Sequence, residues 1–326
     1  MAVVGPQQGP LKRAIVGRLA PSPTGHLHLG HAFSLLVAWW QAKSQGGRVI
    51  LRIDDVDSER AGQAFVHQLL DDLGWLGLSW DGSPRVASEH TVKHERAVNQ
   101  LIAQRDVYPC VCSRADVMRA LGAPQTGTAE VRYPGVCRGK FTQRLEAEQL
   151  TGKAAALRIT VPPGERSVTD LVYGRQAEDL QTTVGDFVVQ RRTGTAAYQL
   201  ACVIDDHLDE VTEVVRGRDL LGSTLRQNLI AERLGLAVPR YAHVPLICDH
   251  NGRRLAKREH DVSLLELRAR GVSARQVVRW AALCAGQTLA SDLNCARDFV
   301  THFDLSRVSP RDILLPERLN EAFLDL

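Results

Sequence analysis

Apolar positions along this chain fall into short runs separated by longer stretches with helical spacing. Ala14-Ile-Val-Gly-Arg-Leu-Ala20 is short enough for a buried strand. After His31 the segment A-F-S-L-L-V-A-W-W-Q-A-K is apolar nearly all round, which predicts a buried helix. Gly46-Gly47 would end that helix in the way C′ glycines do. Arg48-Val-Ile-Leu-Arg-Ile53 then predicts a second strand. Strand, helix and strand in such close succession form a βαβ unit, so the two strands should be parallel. Three acids, Asp54, Asp55 and Asp57, fall just past the carboxyl end of the second strand. That is where open α/β sheets bind ligands.

Further on, Ser58 could cap a helix carrying Phe65, Leu69, Leu70 and Leu73, and Ser88 another carrying Val92, Val98, Leu101 and Ile102. From Tyr108 to Lys140 the pattern dissolves into Cys, Pro and Gly, as in an insertion. Alternation predicts strands at Ala156–Val161, Ser167–Val172, Asp186–Gln190, Ala197–Ile204 and Val211–Val215. A helix follows, with Ser223 or Thr224 as its expected cap, then an apolar run from Tyr241 to Ile247 and an Asn251-Gly252 turn. From Ser263 onward the chain reads as largely helical.

Composition narrows the class. The 326 residues are 44% hydrophobic and 24% charged, as in an ordinary globular protein with room for a sizeable core. Forty Lys and Arg against 37 Asp and Glu give a net charge of +3, too small by itself to require a polyanionic partner. The longest strongly apolar stretch, Phe33–Trp40, is far too short to span a bilayer. Residues 1–13 lack the apolar region of a signal peptide and read as a loose extension. Seven cysteines, an odd number, do not suggest a secreted disulfide framework, so the cytoplasm is the expected compartment.

Three stretches carry candidate chemistry. The first, Arg18 to His31, reads R-L-A-P-S-P-T-G-H-L-H-L-G-H, a turn between strand and helix. Such a turn presents backbone N–H groups and a positive dipole end to a phosphate. His28 and His31, at i and i+3, would add imidazole donors on the same side. The same spacing fits a capped, solvated helix start, and a zinc pair would need further ligands. The second, Gly252-Arg-Arg-Leu-Ala-Lys-Arg258, places Lys257 on a basic loop able to reach a triphosphate, although basic runs are commonly solvated faces. The third is Cys110-Val-Cys112 with Cys137, three thiols that fit either a small reduced core or part of a metal site.

Together, R-L-A-P-S-P-T-G-H-L-H-L-G-H and the later R-L-A-K-R resemble the two signature motifs of class I aminoacyl-tRNA synthetases. The forms A-P-S-P-T-G-H-L-H-L-G, L-R-I-D-D-V-D, A-Y-Q-L-A-C-V-I-D-D-H and T-E-V-V-R-G-R-D-L-L are similar to the glutamyl-tRNA synthetase branch. The chain stops at Leu326, where full-length members continue into an anticodon-binding region, so it resembles the short paralogues of that branch. The resemblance implies an α/β fold: a Rossmann-type parallel-sheet catalytic domain (14–107 and 186–262) with an inserted zinc-bearing acceptor-type subdomain (108–185) and a helical C-terminal part (263–326). It implies tRNA-independent activation of L-glutamate with ATP and Mg²⁺, then transfer to the queuosine base at the wobble position of tRNA(Asp), by a monomer without membrane contact. Charging of a tRNA 3′ end, a small-molecule nucleotidyltransferase and a non-catalytic RNA-binding relative are the competing expectations.

Residue roles follow from the same resemblance. Arg18, Leu19, Ala20, Pro21, Ser22, Asp54, Tyr198 and Arg216 would hold the glutamate, and His28, Gly30, His31 and Lys257 the ATP, with His28, His31 and Lys257 catalytic. Cys110, Cys112, Tyr133 and Cys137 would bind one structural Zn²⁺. Two departures stand out. Asp54 replaces a glutamate, withdrawing the carboxylate by roughly 1.5 Å, and Ala256 replaces a serine beside Lys257. Cys202, Cys248, Cys284 and Cys295 read as structural.

Overall fold

A computed structural model describes residues 14–55, 63–121, 131–255 and 263–323. The expectations placed on residues 1–13, Asp57, Ser58, Ala256 and Lys257 lie outside those residues. β1 (Val16–Leu19) is buried throughout and leads through a Pro-rich turn into α1 (Leu29–Ser44). α1 is apolar on every face because it is covered on nearly every face, with Phe33, Leu36, Val37 and Trp40 fully enclosed. Its two indoles keep their N–H groups satisfied: Trp39 donates to Ser79 O at 2.7 Å and Trp40 to Ala296 O at 2.8 Å. β2 (Arg48–Ile53) then pairs parallel with β1, from Val16↔Arg48 to Leu19↔Leu51. The βαβ unit is formed as its pattern predicts.

α2 (Gln63–Trp75), β3 (Arg85–Val86) and α3 (Thr91–Ala103) follow, and β3 extends the parallel set beyond β2. β4 (Val107–Cys110), α4 (Arg114–Ala120), α5 (Arg144–Thr151) and β5 (Ala156–Ile159) come next. β6 (Arg166–Asp170), β7 (Gly174–Glu178), α6 (Leu180–Thr183) and β8 (Phe187–Gln190) complete the middle of the chain. β4, β5 and β8 make a separate antiparallel sheet. α7 (Tyr198–Leu208), β9 (Glu213–Gly217), α8 (Leu221–Leu234) and β10 (Arg240–Val244) return to the parallel layer, where β10 lies between β9 and β6. β11 (Ile247–Cys248), α9 (Leu264–Ala269), α10 (Ala274–Cys284) and β12 (Ile313–Leu314) close the described chain.

β9 sits against β1. Thr212 N–H donates to Val16 O at 2.9 Å, and Val16 N–H to Thr212 Oγ1 at 2.8 Å. From β1 the chain therefore runs one way to β2 and β3, while β9 and β10 occupy the other side. Such a reversal of strand order opens a crevice at the carboxyl ends of the strands. Most of the described residues expected to hold substrate lie at that crevice.

Several local expectations are corrected. Ala197–Ile204 is not a strand but the start of α7, with Leu200, Ala201 and Ile204 on one buried side and Ala197 as its N-cap. Ser223 and Thr224 do not cap α8; both are buried inside its first turns, after Leu220. Ser88 lies in a 3₁₀ turn, Ala87–His90, and its N–H and hydroxyl donate to Asp55 at 2.8 and 2.7 Å instead of capping α3. Residues 166–170, assigned by sequence to the insertion, join the parallel layer through Tyr241↔Asp170. The C-terminal part is helical through α10 but afterwards consists of 3₁₀ turns and β12, which pairs with β11.

Candidate active site

A cleft of about 430 Å³ opens at the strand reversal. Its floor includes Arg18 near the end of β1, Arg216 near the end of β9 and Asp54 just past β2, and its rim includes His28, Gly30, His31 and Arg254. Ala20, Pro21, Ser22 and Tyr198 complete the residues expected there. Leu19 is the exception. It is fully buried in the main core and does not line the cleft, so its side chain belongs to packing and not to ligand contact.

The two histidines build the start of α1 between them. His28 is the N-cap; its Nδ1 accepts from Gly30 N–H at 3.1 Å, while His31 Nδ1 accepts from His28 N–H at 3.3 Å. This is a capping box in which imidazoles do what Ser and Glu commonly do. Each ring spends Nδ1 as an acceptor, so in the neutral form the proton sits on Nε2. The rings lie 3.8 Å apart, centroid to centroid. Gly30 suits this packing: a Cβ there would meet His28 Cε1 at 3.0 Å and Nδ1 at 3.1 Å, and the ring would have to give by a few tenths of an ångström. Among the described residues no third ligand accompanies the pair.

Beneath the cleft lies a charge network centred on Arg52, which is fully buried. Its Nε donates to Asp54 Oδ1 at 2.6 Å, and its Nη1 to Asp206 Oδ1 at 2.8 Å and Asp209 Oδ2 at 3.1 Å. Arg18 adds a longer contact to Asp206 at 3.4 Å and donates Nη1–H to Val215 O at 3.0 Å, tying β1 to β9. Burial pushes the Asp206 carboxyl up, but Arg52 and Arg18 outweigh it and hold it below the usual range. For Asp54 burial wins, and its carboxyl is raised despite Arg52. Asp54 N–H also donates to Pro21 O at 3.1 Å, which draws the acid and the Pro-rich turn together. The shorter side chain is thus held at the cleft by its own backbone and by Arg52.

Arg216 is different. It is buried, yet its contacts are neutral: Nε to His243 Nε2 at 3.0 Å, Nη1 to Gln227 Oε1 at 2.9 Å, Nη2 to Thr224 Oγ1 at 2.9 Å and Leu220 O at 3.2 Å. Among the described residues it has no carboxylate partner. A buried guanidinium without a counter-ion is costly unless an anion joins it. Sequence reasoning found Arg216 but missed Arg52, Asp206, Asp209, Asp170, His243 and Gln227. The available signals were an arginine inside an aliphatic strand and two acids inside an apolar helix.

Tyr198 also forms a wall of a second basin, of about 570 Å³, whose lining includes Arg114, Arg158, Arg191 and Arg226. At its edge lie the thiols. Cys110, Cys112 and Cys137 place their sulfurs within 4.8 Å of one another. The Tyr133 hydroxyl is 3.3 Å from Cys110 Sγ and 3.7 Å from Cys112 Sγ, and accepts from Cys137 N–H at 2.8 Å. Gly185, at φ +70°, lets Tyr133 pass so closely that a Cβ would lie 2.1 Å from Tyr133 O. Arg158 covers the Tyr133 ring at 3.8 Å and donates to Cys110 Sγ at 3.3 Å. Three soft thiols and one phenol oxygen converging on a point match a four-coordinate donor set.

A histidine-capped turn at a strand reversal, with a buried cation beside it, has the form of a nucleotide-dependent group-transfer site. The chain belongs to the class I tRNA synthetases for E and Q, whose catalytic-domain model it matches over residues 14–311. It is a ligase of the aminoacyl-tRNA synthetase type. Within that family it is 40% identical to the Glutamyl-Q tRNA(Asp) synthetase of Symbiobacterium thermophilum, over 93% of this chain and 96% of the relative. It is 42% identical to the protein of the same name from Rhodopirellula baltica, over 85% of this chain and 87% of that one. A crystal structure of a glutamate tRNA ligase from Elizabethkingia meningosepticum shares the fold, with a TM-score of 0.80 at 22% identity, covering 95% of this chain and 69% of that one. Among the described residues no helix is long and apolar enough to cross a membrane.

Proposed function

We propose that this chain activates L-glutamate with ATP, without tRNA, and transfers the glutamyl group to the queuosine base at the wobble position of tRNA(Asp). The observation that carries the first half is Arg216, a buried cation at the cleft with only neutral partners. An amino acid with a carboxylate side chain supplies the missing charge and accepts the N–H of Arg216 that its protein partners leave over. Arg18, Ala20, Pro21, Ser22, Asp54 and Tyr198 would enclose the remainder of the amino acid, with Asp54 taking its ammonium. The glutamate carboxylate then attacks the α-phosphorus of ATP in line, forming the mixed anhydride and releasing pyrophosphate. His28 and His31, with Nε2–H donors set by the cap, would stabilise charge developing on the phosphates. Mg²⁺ entering with ATP supplies further charge neutralisation on the pyrophosphate.

The second half rests on the relatives' names and on the arginine-lined basin that shares Tyr198 with the cleft. Arginine side chains with an apolar floor suit a polyanion carrying a base. A queuosine ring hydroxyl would attack the anhydride carbonyl and displace AMP. Glutamate-dependent ATP–pyrophosphate exchange without tRNA tests the first step. Glutamate transfer to tRNA(Asp) with and without queuosine, and to tRNA(Glu), tests the second. Equal transfer to queuosine-free tRNA, or transfer to tRNA(Glu) alone, would favour 3′-end charging.

Lys257 is proposed as the cation that meets the phosphates during transfer. The residues on either side of its segment are fixed at the cleft: Leu255 N–H donates to Ile247 O at 3.1 Å, and Leu264 N–H to Leu27 O at 2.7 Å. Lys257→Ala is expected to lower kcat for the exchange by about 10²–10³-fold. Near-normal exchange would exclude Lys257 from the transition state.

Residues 108–185 are proposed to include a zinc-bearing, acceptor-type unit, with Cys110, Cys112, Cys137 and Tyr133 holding one structural Zn²⁺. When bound, the ion would supply a cross-link between the end of β4 and the loop before α5. Metal analysis of protein purified without chelator is expected to give about one zinc per chain, as a single four-ligand site requires. A content near zero would leave the cluster as a reduced thiol core.

A further inference from the structure

Arg216, His243 and Asp170 sit on three neighbouring strands, β9, β10 and β6, and form a single buried line. His243 is the direct β-partner of Arg216, and Tyr241, two residues earlier, is that of Asp170. Arg216 Nε points at His243 Nε2 at 3.0 Å, and His243 Nδ1 lies 2.7 Å from Asp170 Oδ2. The side chains of His243 and Asp170 are fully shielded from solvent.

The direction of each hydrogen bond in this line is forced. Asp170 Oδ1 accepts from Val172 N–H and Tyr173 N–H, both at 2.9 Å, and Oδ2 accepts from His243 N–H at 3.1 Å. With backbone donors on both oxygens, Asp170 is an acceptor toward the ring, so His243 Nδ1 carries the proton. Nε2 is then bare and must accept. Arg216 Nε–H, which can only donate, meets the one acceptor oriented toward it. A proton on both ring nitrogens would set two donors face to face. Burial pushes hardest against the imidazolium, the Asp170 hydrogen bond pulls the other way, and Arg216 adds to the effect of burial, so the ring is held below its usual value and stays neutral.

We propose that Asp170 and His243 are positioning residues that aim the Arg216 fork at the substrate side chain, and so select a carboxylate over a carboxamide. The proposal rests on the reading that Arg216 binds glutamate. His243 contributes no charge of its own, which leaves the guanidinium uncompensated for the ligand. A carboxylate in place of His243 would orient Arg216 equally well but would already occupy its charge.

The test uses full-length protein and the exchange assay with glutamate and with glutamine. Asp170→Asn would turn a donor toward the ring and reverse its tautomer, while His243→Leu removes the acceptor. Both are expected to raise KM for glutamate about 10- to 100-fold, with kcat and KM for ATP changed by less than about threefold, and to narrow the preference for glutamate over glutamine. His243→Gln, whose Oε1 can reach the place of Nε2, is expected to recover most of the lost KM. Arg216→Ala separates the two levels of the argument. If that variant keeps its KM for glutamate, the reading of Arg216 fails. If it loses glutamate while Asp170→Asn and His243→Leu do not, or if kcat and KM for ATP shift as much as KM for glutamate, the positioning role fails. ¹⁵N NMR of histidine-labelled wild-type protein needs no variant to fold. A neutral His243 protonated on Nδ1 is expected; an imidazolium, or a proton on Nε2, overturns the proposal.

Discussion

Arg216→Ala is expected to lower kcat/KM for glutamate in ATP–pyrophosphate exchange on the order of 10³-fold. The size follows from what remains in the cleft. Removing one partner of a buried charge pair costs about 3–5 kcal/mol, because the other charge is left desolvated and alone. Here the orphan would be the substrate carboxylate, left in the cleft beside Tyr198 with no cation in the place of Arg216. Nearby Arg18 does not substitute, being turned toward Asp206 and Val215 O. Arg216→Lys should recover only a small part, since an ammonium lacks the planar fork that fills His243, Thr224 and a ligand together. Activity within tenfold of wild type in the alanine variant would mean that glutamate binds elsewhere.

Arg52→Met should have the largest effect on stability, a loss of about 3–5 kcal/mol from a total that for most domains is about 5–15 kcal/mol. Methionine fills the volume but leaves Asp206 and Asp209 buried, with Arg18, the half-exposed Arg85 and the more distant Arg216 as the cations left to balance them among the described residues. Urea unfolding at neutral pH measures the loss directly. The pH dependence tests its cause. Asp206 is held below its unfolded value, so its contribution is present above about pH 4, the ordinary Asp range. That contribution disappears as the pH falls through its folded pKa. The gap between wild type and Arg52→Met should therefore narrow in acid. An undiminished gap at low pH would assign the loss to packing.

The parts of the site that were legible in the sequence are the local ones. The strand–turn–helix of Arg18–His31 and the βαβ unit declare themselves within a few tens of residues, because turn chemistry and apolar period act at short range; the three cysteines are close in sequence too, while Tyr133 entered only through the family resemblance. The structure preserves them, with His28 and His31 capping α1 in a way the spacing allowed. What the sequence concealed was set by distant partners. Arg52 read as one more strand residue, since Asp206 and Asp209 lie 154 and 157 positions away. His243 and Asp170, 73 apart, carried no shared motif.

The α7 error has a similar origin. Ala-Tyr-Gln-Leu-Ala-Cys-Val-Ile supports both periods, and the decision falls to Asp205 and Asp206, whose burial makes sense only beside His94 and Arg52. Thr224 looked like a cap because a hydroxyl near a helix start commonly is one. It is spent instead on Arg216. Leu19 shared a motif with its neighbours but, on a strand, alternate side chains leave by opposite faces.

The seam between β1 and β9 also orders events in time. Arg18 reaches Val215 O across 197 residues of chain, so half of the cleft emerges from the ribosome long before the other half exists. A nascent chain ending before β9 holds the histidine-capped helix and the Asp54 turn, yet has an unfilled sheet edge along β1 and no Arg216. Such a late, long-range closure is slow to form compared with the local βαβ unit. Truncated translation products of this chain should consequently be inert toward glutamate, however native their first hundred residues become.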